Sequence, residues 1–282
     1  MFFHKFKKIL TNNFGSTLAE GATHVGLLPR KVRFSFTLAE GATHVDLSPT
    51  KVKRGFTLAE VLITLGVIGV VAAMTIPSLM SNYRKRQLQT QIKADVSIIQ
   101  QAVRFAEYED TSYDMAIQDG NTASTKEWFD SFLGKHLKVE QLCIDKPGCW
   151  HKKGIVKSLT GNAPKYENDN GIGGNIVTFK IANGSMFNVD GNTAEDMASF
   201  GIDTTSDGLT FYFDANGDRG PNRVGVDIYI MVWSSQGLVP AGYSRTKAQV
   251  EENCLRGDGY FCLQYVATHG WEISDTVWRK KF

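Results

Sequence analysis

Between Glu60 and Arg84 the chain runs through 23 residues without one charged side chain. A helix rising ~1.5 Å per residue carries that run about 35 Å, enough to cross the ~30 Å hydrocarbon layer of a bilayer. The stretch therefore predicts one membrane passage near the start of the chain. Beyond it the apolar positions keep a helical step: Leu88, Ile92, Val96, Ile99, Val103 and Ala106 are three or four residues apart. Arg84, Lys85, Arg86, Lys93, Asp95 and Arg104 lie off that stripe. No Gly or Pro falls between Ser78 and Asp119. The pattern predicts a single helix over about residues 56–109, apolar all round in its first half and amphipathic in its second. Pro77 removes one backbone donor inside it and predicts a kink or local break.

Residues 110–170 read as loops and short helices, with helical spacing over 126–137. The period then changes to two. Val177, Phe179 and Ile181 alternate with Thr178 and Lys180, and Asn183-Gly184 offers a type I′ hairpin turn into Phe187 and Val189. Leu209, Phe211 and Phe213 alternate with Thr210 and Tyr212; Val226, Ile228, Ile230 and Val232 alternate with Asp227, Tyr229 and Met231. Four strands joined by short loops predict an antiparallel meander with one covered face, and the amphipathic half of the helix is its natural cover. Residues 237–282 read as irregular, with Trp271 and Trp278 as packing anchors. The fold class expected is α+β: one long N-terminal helix packed on a roughly four-stranded antiparallel sheet.

Charge adds an asymmetry. Residues 1–55 hold nine Lys/Arg against three Asp/Glu, a net +6, while the remainder carries 22 against 26, a net −4. A basic head before a mildly acidic body argues against a nucleic-acid-binding domain, which concentrates positive charge in its folded part. It suits a segment held on the cytoplasmic side of a membrane. With 42% hydrophobic and 21% charged residues, the body has enough apolar material for a core. The four cysteines form two close pairs, Cys143 with Cys149 and Cys254 with Cys262, both beyond the apolar run. They suggest disulfides in an oxidising compartment, with connectivity open; the other reading, a four-thiolate zinc site, fits poorly with gaps of five and seven residues.

The head also repeats. Thr17-Leu18-Ala19-Glu20, Thr37-Leu38-Ala39-Glu40 and Thr57-Leu58-Ala59-Glu60 recur every 20 residues, and only the third continues into the apolar run. A solenoid needs more copies with buriable faces. Residues 1–55 read instead as a duplicated leader or processing segment without a fold of its own.

The segment Lys51-Val52-Lys53-Arg54-Gly55-Phe56-Thr57-Leu58-Ala59-Glu60, with the apolar run and Pro77 behind it, resembles the class III signal of the type IV pilin and type II secretion pseudopilin superfamily. The resemblance covers roughly residues 51–83. It implies cleavage after Gly55 by a prepilin peptidase, methylation of the new amino group of Phe56, and a mature chain of 227 residues. It further implies an inner-membrane span over 56–83 and a periplasmic or extracellular pilin-like head over 84–282. The partners it implies are other pilin or pseudopilin subunits, the assembly platform protein and its ATPase system. In assembled filaments of that superfamily the helix loosens between positions matching Gly69 and Pro77.

Glu60 has a physical reading of its own. A carboxylate at the head of a membrane helix costs a few kcal/mol unless paired, and the free amine of Phe56 on a neighbouring subunit would supply the opposite charge at one axial offset. The plainer alternative leaves Glu60 at the lipid headgroup level with no role; the resemblance implies Glu60 and Pro77 as the assembly residues and Gly55 and Phe56 as the processing residues. A second constellation, Asp214, Asn216 and Asp218 with Asp227 beyond, places oxygen ligands at alternate positions and could wrap Ca²⁺. Gly225 stands where an EF-hand needs its Glu, so that motif is excluded. The alternative is a turn rich in Asp, Asn and Gly for backbone reasons alone. Some pseudopilins bind calcium in a loop between late strands, so the resemblance adds weight to Ca²⁺ as a cofactor and leaves the ion site and the plain turn evenly matched.

No enzymatic constellation stands out. His136, His151 and His269 read as surface residues, and the Gly-rich run at Asn170–Gly174 precedes a strand where a phosphate loop would follow one. The expected function is a non-enzymatic structural subunit of a type IV pilus or type II secretion pseudopilus. The competing class is a monomeric signal-anchored periplasmic binding protein or enzyme.

Overall fold

The computed structural model describes residues 55–109, 122–174 and 176–281. The leader through residue 54, with the first two repeat copies, lies outside the described residues. Phe56–Phe282 forms one unit, and its first element is helix α1, Leu58–Tyr108, 51 residues long. Every position predicted for the stripe is buried, Ile92, Ile99 and Ala106 completely. At about 1.5–3 kcal/mol for each large aliphatic side chain removed from water, this stripe is the main hold of the helix on the head. Pro77 sits inside α1 without interrupting it, so the local break is not found in this single chain. The proline forfeits one backbone bond, and the intact turns on either side carry the helix across it.

Six strands form the sheet, two more than the pattern predicted: β1 (Val139–Ile144), β2 (Ile176–Ile181), β3 (Met186–Asn192), β4 (Gly208–Asp214), β5 (Ile228–Ser234) and β6 (Gly237–Pro240). Their spatial order is their chain order and every pair is antiparallel, the expected meander. The two missed strands are edges. β1 has polar and apolar positions in no clean alternation, and β6 is four residues long.

Register explains the core. Phe179 faces Phe187, Phe187 faces Phe213 and Phe213 faces Tyr229 across successive strands. Their ring centroids are 5.1, 5.7 and 6.0 Å apart, a ladder of rings on the face that α1 covers. Pairs of this kind add about 0.5–1.5 kcal/mol each beyond their burial. Helix α2 (Thr122–Phe132) closes the same core, with Phe129 against Phe179 and Phe132 against Trp233.

The opposite face is covered as well, contrary to expectation. Met186, Tyr212, Ile228, Ile230 and Val232 build a second core with Trp150, Val156 and Ile172 from the long β1–β2 connection and Met197 from helix α3 (Ala194–Ser199). Both faces of β4 and β5 are buried at all seven positions. Alternating patterns in the two strands were read as one wet face, whereas Ile228, Ile230 and Val232 on one side and Tyr229, Met231 and Trp233 on the other are apolar alike. The predicted start at Val226 is a turn, closed by the Val226 N–H donating to Arg223 O at 3.0 Å.

The β2–β3 connection also departs from the type I′ reading. Gly184 has φ +90° and its N–H donates to Ile181 O at 2.9 Å, while Asn183 is not left-handed. The four-residue turn ending in a left-handed Gly places the special conformation one residue later than in a type I′ turn. The C-terminal region is helical where irregular chain was expected: α4 (Lys247–Leu255), α5 (Cys262–Thr268) and α6 (Asp275–Arg279). Their brevity hid the period. Trp271 and Trp278 pack on the main core as anticipated.

Both cysteine pairs are disulfides, Cys143–Cys149 and Cys254–Cys262. Each joins its near neighbour in sequence. The zinc alternative is set aside, since no cysteine among the described residues is free.

Candidate functional site

The chain enters α1 through a non-helical segment. Gly55 and Phe56 are exposed, Phe56 by 89%, and nothing lies within 4 Å of where a Gly55 side chain would begin. Exposed backbone just before a helix start is what a protease needs to bind a peptide bond in extended form. Thr57 then caps the helix with φ −76° and ψ 150°.

Thr57 and Glu60 form a capping box. The Thr57 N–H and hydroxyl each donate to Glu60 Oε2 at 2.8 Å, and the Glu60 N–H donates to Thr57 Oγ1 at 3.2 Å. The Thr-x-x-Glu spacing was legible as a cap from sequence alone, and Thr57 was overlooked there. The box gives the Glu60 carboxylate dipoles but no cation. No ion pair to Glu60 forms among the described residues, so these dipoles are what solvate its charge there.

The apolar stretch of α1 is left unburied by the described residues. Gly66 and Gly69 have open space around them, so a neighbouring helix can approach their backbone closely. Exposed aliphatic surface on this scale, continuous with a packed head, must be covered by lipid, by other subunits or by both.

Two buried polar clusters lie in the head. Asp95, which lies off the apolar stripe, is nonetheless fully buried. It accepts from Asn183 Nδ2 at 2.7 Å, Ser185 Oγ at 2.8 Å and Gln91 Nε2 at 3.2 Å, which ties α1 to the β2–β3 turn. Burial raises its carboxyl to about 7, against the opposing pull of those three donors.

The second cluster contains the proposed calcium ligands. Asp214 and Asp227 are fully buried at the two ends of the 215–226 loop. Asp227 accepts from the Arg223 N–H at 2.7 Å, the Asn222 N–H at 2.9 Å and Asn216 Nδ2 at 3.2 Å. Burial, helped by the Asp214 charge, raises it to about 7. Asp214 accepts from the Asn216 N–H at 3.0 Å and bonds His151 Nε2 at 2.9 Å. Burial pushes the Asp214 carboxyl up and the His151 imidazole down, which favours the form in which the pair as a whole is neutral.

His151 is therefore a core residue and not the surface residue its sequence neighbours suggested. Of the other two histidines, His136 stacks on Phe105 and His269 on Tyr265. Asp218 turns out to solvent with its side chain 82% exposed and pairs with Lys180 at 3.2 Å. The four candidate ligands thus do not converge, and no group of three or more His, Cys, Asp or Glu among the described residues is placed to hold a metal. Asn216 Oδ1 and Asn222 Oδ1 are buried without a hydrogen-bond partner and are the acceptors this loop leaves over. With both buried carboxylates already engaged by protein donors, the arrangement fits a hydrogen-bonded turn better than an ion cage.

The described contacts bring Thr57 to Glu60 and Asp214 and Asp227 into one loop, while Gly55, Phe56 and Glu60 stand apart from the head chemistry. Residues 50–76 match the prokaryotic N-terminal methylation motif. That match is consistent with the class III signal of type IV pilins and pseudopilins, and the chain has the pilin-like α+β architecture of one long helix on an antiparallel sheet. No curated protein and no solved structure matches the chain. These observations define a chain with a prepilin-type N-terminal motif and, among the described residues, one helix long and apolar enough to cross a membrane.

Proposed function

We propose that the chain is a pilin-like structural subunit, cut after Gly55 by a prepilin peptidase and assembled through its apolar helix into a filament. The observation that carries this reading is α1 itself: one rod whose first half is fully exposed and apolar and whose second half is sealed into the head. The subunit waits in the inner membrane with its head in the periplasm, where the two disulfides are stable, and an assembly platform with its ATPase draws it into the filament. Its chemistry is structural and not catalytic. The buried His151–Asp214 pair is 7% and 0% exposed and offers no substrate access, which supports a bracing role.

Assembly depends on Glu60. Its carboxylate exchanges the capping donors of Thr57 for the Phe56 amine of an adjacent subunit, which adds the missing positive charge in a low-dielectric setting. The test is filament yield from a host lacking its own copy of the gene and complemented with either wild type or Glu60→Val. Wild type enters the sheared filament fraction and Glu60→Val remains in the membrane. A wild-type chain found only as a membrane monomer would instead favour a signal-anchored protein whose head acts alone.

A further inference from the structure

A recess in the head lies where α1 leaves its apolar run. The first turns of α1 beyond the apolar run, the 215–221 loop and α6 enclose a groove of about 530 Å³, within the ~300–1,000 Å³ typical of small-ligand sites. Arg84, Gln87 and Gln91 line it from α1, Arg219 from the loop, and Trp278 and Lys281 from the C-terminal region. Three cations and no carboxylate are among its described lining residues.

Its height is fixed by chain geometry. Arg84 is the first charged residue after the span and Gln91 stands seven residues, about 10 Å, further along the helix. The polar headgroup layer on each side of a bilayer is roughly 5–8 Å thick, so the groove opens level with lipid phosphates. α6 is fastened at this level: Ser81 Oγ accepts from Trp278 Nε1 at 3.0 Å and from Lys281 Nζ at 2.9 Å. The Lys281 ammonium lies 4.1 Å from the centre of the Trp278 ring. Burial, then the nearby Arg84 charge, pushes the Lys281 pKa down, the direction expected where cations are crowded together. The neighbouring acid, Asp275, is engaged by Lys85. An indole beside basic side chains at the water boundary is the usual composition of a membrane-interface anchor.

We propose that this groove binds the phosphate of an anionic phospholipid headgroup, clamping the head of the unassembled subunit onto the bilayer surface. Arg219, exposed in the loop with its Nε donating to Asn216 O at 3.2 Å and its terminal nitrogens left for a ligand, and Lys281 grip the phosphate, while Gln87 meets the free hydroxyls of a glycerol headgroup. The inference rests on the membrane-spanning reading of α1. In a lipid–subunit complex the subunit cannot turn or tilt freely in the bilayer, and extraction into a filament must first release the lipid.

The test places the full chain in phosphatidylcholine nanodiscs containing spin-labelled phosphatidylglycerol or, separately, spin-labelled phosphatidylcholine, and reads the motionally restricted fraction by electron paramagnetic resonance. The expected result is a several-fold preference for phosphatidylglycerol. Arg219→Gln lowers it about fivefold, the weight of one basic residue at a membrane surface, and Arg219→Lys restores it. Restricted lipid with equal selection of the two headgroups overturns the headgroup site while leaving the span intact. No restricted lipid of either kind overturns both. A preference abolished by inorganic phosphate at constant ionic strength assigns the groove to free phosphate and overturns the lipid assignment. The wild-type comparison needs no variant, so a substitution that unfolds the head does not blunt it.

Discussion

On the proposed mode of assembly Glu60 has two roles, capping and pairing, that a substitution can separate. Its capping bonds need an acceptor oxygen, which Gln also supplies; its partner in a filament needs a negative charge, which Gln lacks. Glu60→Gln is therefore expected to keep the helix start and block assembly, whereas Glu60→Ala loses both and frays the first turn, at about 1 kcal/mol. Amide exchange at residues 58–62 in detergent micelles, set beside filament yield, distinguishes them; normal filaments from Glu60→Gln would show that charge is not what assembly reads. Asp95 makes a second residue-scale prediction. The folded chain holds its proton up to about pH 7 while an unfolded Asp releases it near pH 4. Folded protein therefore binds more protons across that window, and stability falls as pH rises through it, levelling off above 7. Asp227 adds to the same slope. Asp95→Asn, whose amide can face the Ser185 hydroxyl, should leave the melting temperature at pH 4 unchanged and raise it at pH 8, by a free energy on the order of 4 kcal/mol at full ionisation. An unaltered slope in thermal melts would mean that Asp95 is ionised in the fold. Neither Asp95 nor His151 was legible in the sequence: a polar residue one step from an apolar stripe looks solvent-facing until a turn such as Asn183–Ser185 folds over it.

Among the elements, α1 was readable because its signal is long. A run of 23 uncharged residues and then six stripe positions leave no competing period, and the stripe predicted is the stripe buried. The central strands β2 to β5 were readable for the same reason, since Phe179, Phe187 and Phe213 mark their inward positions. What escaped were the short pieces: β1, β6 and helices α3 to α6 span four to nine residues each. At that length local preference is weak and tertiary packing decides. The Cys254–Cys262 disulfide ties the end of α4 to the start of α5, next to Gly225, where an added Cβ would come within 2.8 Å of Cys262 Sγ. Replacing both cysteines with Ser removes a short covalent loop and should cost about 2–3 kcal/mol. α6, which packs on α4, should loosen first, and protease sensitivity near residue 275 reports it; resistance equal to wild type would place the hold in the core contacts alone.

At the scale of the whole molecule, the two halves of α1 face different solvents. The head-bound half is covered by a sheet buried on both faces, while the preceding half is covered by nothing among the described residues. A version beginning at Ser81, which keeps the Trp278 and Lys281 contacts, should fold as a water-soluble monomer, whereas the chain from Phe56 should require detergent or lipid; gel filtration and circular dichroism compare them. Aggregation of the shorter form would mean that the apolar half braces the head. The central claim is that the basic leader is removed and the freed end of the helix becomes an assembly surface. Its most direct test is the mass of the N-terminal peptide of the protein isolated from its own host. An N-methylated Phe56 at the terminus is the result expected, and an intact Gly55–Phe56 bond in the membrane-embedded protein would contradict it.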